Sequence, residues 1–166
     1  IQAAINAAQD GGTVLVQNGL YTEQIVFDGT KGVTLMGETQ DGVIVESPTG
    51  LLDDVILQSS VTSAKSYTVK SITIRGGRYG ILSESSTDFK VRDVTFMRCG
   101  WDGTQAASED IVGYQALWAS TNSSDGGACR IKKASGRVSI KDVYCRECAT
   151  GITVEDCSAG GLLSRI

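Results

Sequence analysis

Three phrases along the chain repeat one order of apolar and polar positions: VKSITIRGG (69–77), VRDVTFMRC (91–99) and IKDVYCREC (140–148). Aligned without gaps, Val69, Val91 and Ile140 share a position, as do Ile72, Val94 and Val143, and then Ile74, Phe96 and Cys145. Lys70, Arg92 and Lys141 stand after the first apolar position, and Thr73, Thr95 and Tyr144 before the last. This period-two alternation predicts strands with one buried face. Ser71, Asp93 and Asp142 interrupt it by one polar residue each, which predicts a corner at that point of every repeat. A looser set, YGILSES (79–85), YQALWAS (114–120) and TGITVED (150–156), interleaves with the first in order, as coils contributing the same strands would.

A spacing of 22 residues between Val69 and Val91, built from short strands and Gly, Asn, Asp or Ser turns, is the pattern of a parallel β-solenoid. The fold class expected is therefore all-β, a parallel β-helix with coils stacked about 4.8 Å apart. Helical folds fail because β-branched residues and glycine dominate and no 3.6-residue period persists after residue 8. A β-sandwich is the structural rival, but hairpin signals do not explain why equivalent residues recur in register. IQAAINAA (1–8) is read as a short helix, with coils over 9–166 in a single domain spanning 1–166. The chain starts at Ile1 inside this apolar phrase and stops inside GGLLSRI, which predicts a piece of a longer protein.

From Val91 to Ile140 the spacing is 49 residues, so about 27 are additional if the two lie on adjacent coils. They are expected as loops near 97–113 and 121–136, on both sides of YQALWAS. Trp101 and Trp118 are candidates to stack on sugar rings, and Asp102, Glu109 and Asp110 are candidate metal ligands. Asp125, Arg130, Lys132 and Lys133 fall in the second loop. The alternative is that these are solvated loops without a special role. Adjacency of 91 and 140 would also set Cys99 and Cys148 about 5 Å apart, within reach of a disulfide, whereas an intervening coil would separate them. We expect that disulfide, with Cys129 and Cys157 as weaker partners and Cys145 as a small core residue. Cys145 and Cys148 form a CxxC without the second pair that a zinc site needs. Disulfides imply an oxidising compartment, and Asn122-Ser123-Ser124 fits a glycosylation acceptor, so an extracellular or cell-surface location is expected.

Histidine is absent, which removes imidazole bases, His-based triads and zincin sites. The net charge of −4, with acids and bases interspersed, argues against nucleic acid as a partner. No apolar run is long enough to span a membrane as a helix. The row Lys70, Arg92, Lys141 is the chemically suggestive surface. Like charges stacked about 5 Å apart repel unless acids such as Asp93 and Asp142, or a polyanionic glycan, compensate them.

The opening IQAAINAAQDGGTVLVQNGLYTEQIVFDGTKGVTLMGE, with its phrase Gly19-Leu20-Tyr21-Thr22-Glu23, resembles the start of right-handed parallel β-helix proteins of the pectin-lyase-like superfamily over residues 1 to 47, which implies that the helix at 1–8 caps the open edge of the first coil. The opening is similar to that of pectin methylesterases, and Gln115-Ala116-Leu117-Trp118 resembles the segment carrying their oxyanion-stabilising glutamine. Their catalytic aspartates are not matched, because GYQALW (113–118) puts Ala116 at the acid and a later register puts Thr150 there. The resemblance implies either of two functions. One is a non-catalytic module of a surface, adhesive or fibrous assembly, touching polysaccharide or other copies of itself laterally or end to end. The other is a polysaccharide-active enzyme, a degenerate carbohydrate esterase or a pectate-lyase-like enzyme. The lyase would need calcium as its cofactor, with Arg92, Lys141 or Arg146 as base. We expect the first, with no catalytic residues, because no complete catalytic set can be assembled from this chain.

Overall fold

The computed structural model describes residues 1–49, 53–60, 64–100, 126–158 and 160–166. These form one short helix, α1 (Gln2–Ala7), and mostly β structure in two parallel sheets. The first sheet runs β1 (Gly12–Val16), β4 (Val33–Gly37), β7 (Tyr67–Arg75), β9 (Phe89–Met97), β11 (Val138–Arg146) and β13 (Leu162–Ser164). Beside β4, β2 (Gly19–Thr22) pairs with β5 (Val43–Glu46), and β5 pairs with the second half of β7. The second sheet runs β3 (Ile25–Phe27), β6 (Ile56–Gln58), β8 (Tyr79–Ser83), β10 (Gly127–Lys132) and β12 (Ile152–Glu155). From β7 onward the chain alternates between the sheets, and each new strand lies parallel to the one laid down by the previous visit.

The register matches the repeated phrases residue for residue. Val69 faces Val91, which faces Ile140; Ile72, Val94 and Val143 align in the same way, as do Ile74, Phe96 and Cys145. Side chains from both sheets meet in one hydrophobic cluster, in which Val69, Val91, Ile140, Ile72, Val94, Ile74 and Phe96 are wholly buried. Phe27 stacks on Tyr67 at 5.0 Å, with Phe89 tilted against the other side of that tyrosine at 5.8 Å. Adjacent identical or similar side chains let each strand set repeat the packing of its neighbour.

The polar interruptions turn the chain as expected. Ser71, Asp93 and Asp142 have φ of 55°, 52° and 54°, and pairing passes from Lys70–Arg92 to Ile72–Val94 across them. Left-handed backbone costs a non-glycine residue about 1–2 kcal/mol, and it is held here by the strand pairs on both sides. Gly37 occupies the equivalent place, where a Cβ would lie 2.0 Å from the Ser71 carbonyl oxygen. Only a residue without a side chain fits there.

The helix closes one end of the second sheet. The Gln2 side-chain amide accepts from the Val26 N–H at 2.7 Å and donates to the Val26 carbonyl at 3.1 Å, standing in for the missing neighbour of β3. The Glu23 carboxylate accepts from the Gln2 N–H at 2.9 Å, satisfying a free donor of the first helical turn. Ile5 is the one buried residue of the helix.

Two expectations change. The strand that matches YGILS is not 114–120 but 127–132, because Ile81 pairs with Cys129 and Cys129 with Ile152. The loop expected near 121–136 therefore contains strand β10. YQALWAS lies outside the described residues. The physical reason is that Cys129 and Ile131 supply inward apolar positions, with Arg130 and Lys132 alternating outward, a strand pattern that basic residues conceal.

Candidate basic face and thiol cluster

The first sheet presents Lys70, Arg92 and Lys141 in one cross-strand row. Met36 precedes them in register and Ser164 follows. Lys90, two positions before Arg92, lies opposite Thr68 and Ser139 and widens the basic surface. Parallel neighbours are about 4.8 Å apart, so three like charges follow one another at that interval. Arg92 leans on Asp93 at 3.4 Å, with both side chains largely exposed. Asp142 is engaged by Arg165 instead. Among the described residues, Lys70 and Lys141 form no ion pair. Neutralisation by neighbouring acids is thus met for Arg92 alone.

A second polar cluster lies on the other sheet. Arg78 grips the buried Asp54 through two bonds, at 3.1 and 2.9 Å, and the Tyr79 N–H donates to the same carboxylate at 3.1 Å. Arg130 grips Glu155 in the same way, at 3.0 and 3.1 Å, and donates to the Tyr79 hydroxyl at 3.1 Å. The Glu155 carboxylate, ahead of the Tyr79 hydroxyl, raises the Arg130 pKa further, although burial opposes it. Both guanidinium groups lie 5.8 Å from the centre of the Tyr79 ring. The sequence pattern does not announce this cluster, because Arg130 falls within the loop expected near 121–136. The signal that could have found it is the alternation in GACRIK.

The cysteines depart from expectation. All five are free thiols, so the disulfides expected between Cys99 and Cys148 and between Cys129 and Cys157 are not present. Cys99 and Cys148 are nevertheless brought together on adjacent strand sets: the nearby Cys148 thiol raises Cys99, which burial raises further, and the nearby Cys99 thiol lowers Cys148. Cys129 and Cys157 are not neighbours, since Cys129 faces Ile152 while Ser158, next to Cys157, donates to the Ala134 carbonyl. Cys145 faces Phe96, as expected of a core residue, and is half-buried. Desolvation, followed by the nearby Cys148, pushes its thiol up to about 11. Burial pushes the Cys129 thiol up as well, with Cys145 adding to it.

The remaining candidates separate. Arg146, a candidate base, pairs with Glu147, which also accepts from Arg98 at 2.8 Å and is held below the usual carboxylate range mainly by Arg98. Trp101, Trp118, Asp102, Glu109, Asp110 and Asn122 lie outside the described residues. Among the described residues no group of three or more acids and cysteines is arranged to hold a metal ion. No described helix is long and apolar enough to cross a membrane. In comparisons with known proteins, no family model, no curated protein and no solved structure matches the chain.

Proposed function

We propose that the chain is a right-handed parallel β-helix module of the pectin-lyase-like kind. It acts as a non-catalytic building block of an extracellular surface, adhesive or fibrous assembly and holds a polyanionic glycan along Lys70, Arg92 and Lys141. The observation that carries the glycan contact is the cross-strand row itself, in which neither lysine meets an acid among the described residues. A linear polymer with one carboxylate on each sugar ring offers a matching row of charges. The sugars would lie across the strands, parallel to the direction in which the strand sets succeed one another. The parallel pairing of every strand and the joint core of both sheets support the architecture.

The test is calorimetric titration of a polygalacturonate oligomer into the wild type and into a K70Q/R92Q/K141Q variant, with a neutral glucan as control. Each exposed ion contact is worth about 0.2–1 kcal/mol, so the triple variant should lose roughly tenfold or more in affinity. Wild-type binding should also weaken as salt is raised, because exposed charges are screened. Equal affinity of variant and wild type, or equal binding of the neutral glucan, would remove the basic row from the function.

A further inference from the structure

The two thiols that the fold brings together differ in their surroundings. The Arg98 N–H donates to the Arg146 carbonyl at 3.0 Å and the Ala149 N–H to the Cys99 carbonyl at 2.9 Å, so the backbone around Cys99 and Cys148 is clamped on both sides. Arg98 and Glu147, one residue before each cysteine, share a φ of 55°, and both turns therefore aim the next side chain alike. Parallel neighbours about 4.8 Å apart fall inside the Cα separation of about 4.4–6.8 Å that a disulfide accepts. Cys99 is wholly buried, its sulfur 3.6 Å from the Met97 carbonyl oxygen, whereas Cys148 is partly exposed. We propose that Cys148 and Cys99 form a reversible dithiol–disulfide site, in which Cys148 meets small-molecule disulfides from solvent and Cys99, behind it, resolves the adduct.

The exchange proceeds in two displacements. Cys148, having lost its proton to solvent, attacks one sulfur of a disulfide such as oxidised glutathione. A bond forms between the Cys148 sulfur and that sulfur, the small disulfide opens, and the first glutathione thiolate leaves and takes up a proton. Cys99 then loses its proton, attacks the Cys148 sulfur and expels the second glutathione thiolate, which is protonated in turn. Two protein thiols are oxidised and one small disulfide is reduced to two thiols. The nearby Cys99 thiol lowers the Cys148 pKa, which favours the first step. Cys129 and Cys145 are placed differently: Cys129 lies on the other sheet between Ile81 and Ile152, and Cys145 faces Phe96.

The experiment exposes the native full chain to oxidised glutathione, quenches with N-ethylmaleimide at successive times and maps the peptides by mass spectrometry. In the wild type a glutathione adduct on Cys148 should appear first and then give way to a Cys99–Cys148 link, which reduced glutathione reverses. In C99S the adduct should accumulate at Cys148, and the midpoint of its alkylation against pH should move upward. In C148S, Cys99 should remain unmodified. A wild-type link between Cys145 and Cys148, or a first adduct on any other cysteine, overturns the proposal. The wild-type readings require no variant to fold, and they are independent of glycan binding.

Discussion

Val94 sits midway along the middle strand of the first sheet, wholly buried between Ile72 and Val143. Its cross-strand neighbours are aliphatic and offer no partner to a charge. Replacing it with aspartate should bury an unpaired carboxylate and destabilise the chain by several kcal/mol, about 2–7 on the usual scale for unpaired polar groups. Chemical denaturation checks this, and a variant that unfolds at the wild-type midpoint would show that the side chain does not face inward. Glu46 gives a milder, pH-dependent case. The Arg75 guanidinium bonds its carboxylate at 2.9 and 2.5 Å and holds its pKa below the ordinary 4.5. A depressed pKa means that the stabilisation is present above 4.5 and is lost as pH falls through the folded-state value. Partial exposure limits it to about 0.2–1 kcal/mol. In E46Q the thermal midpoint should therefore fall less steeply on acidification below about pH 4.5 than in the wild type, as a melting series would record. At this scale the sequence was legible wherever a side chain alternates with its neighbours. The buried Asp54 was not legible, because its partner Arg78 lies 24 residues away and only the pairing of β6 with β8 joins them.

The elements divide by how strongly their neighbours hold them. Strands β7, β9 and β11 are long, pair on both sides and bury their inward residues almost completely. Strands β12 and β13 lie at the edges of their sheets, and Val154, Leu162 and Leu163 remain 37, 49 and 52 % exposed. Native-state hydrogen exchange should accordingly be slowest in β9 and fastest in β12 and β13. Uniform protection from β7 to β13 would mean that the sheets open as a single unit. The strands carrying strict alternation were readable from sequence, and so was the helix ahead of them. Strand β10 was not, because Arg130 and Lys132 give it the composition of a loop. The alternating YQALWAS competes for its place in the sequence pattern.

At the scale of the molecule, order in sequence and order in space coincide: each strand set rests on the set before it. The adjacency of Val91 and Ile140, 49 residues apart, was inferred from the cysteines and agrees with the register, although no disulfide joins them. Matching side chains, more than the covalent bond, hold that register. The thiols mark the position without being needed to secure it.

The two glycines on either side of the long interval between β9 and β10 have a wider meaning. A Cβ on Gly100 would lie 2.9 Å from both the Gly126 carbonyl carbon and the Gly127 nitrogen, so the chain departs after residue 100 and rejoins the strands at residue 126 through one narrow doorway. The framework therefore brings the two ends of the interval 101–125 to adjoining positions. Closure entropy grows only with the logarithm of length, and doubling such an interval costs about 0.6 kcal/mol. With its ends held together, a change in the length of that interval costs the strands on either side little closure entropy.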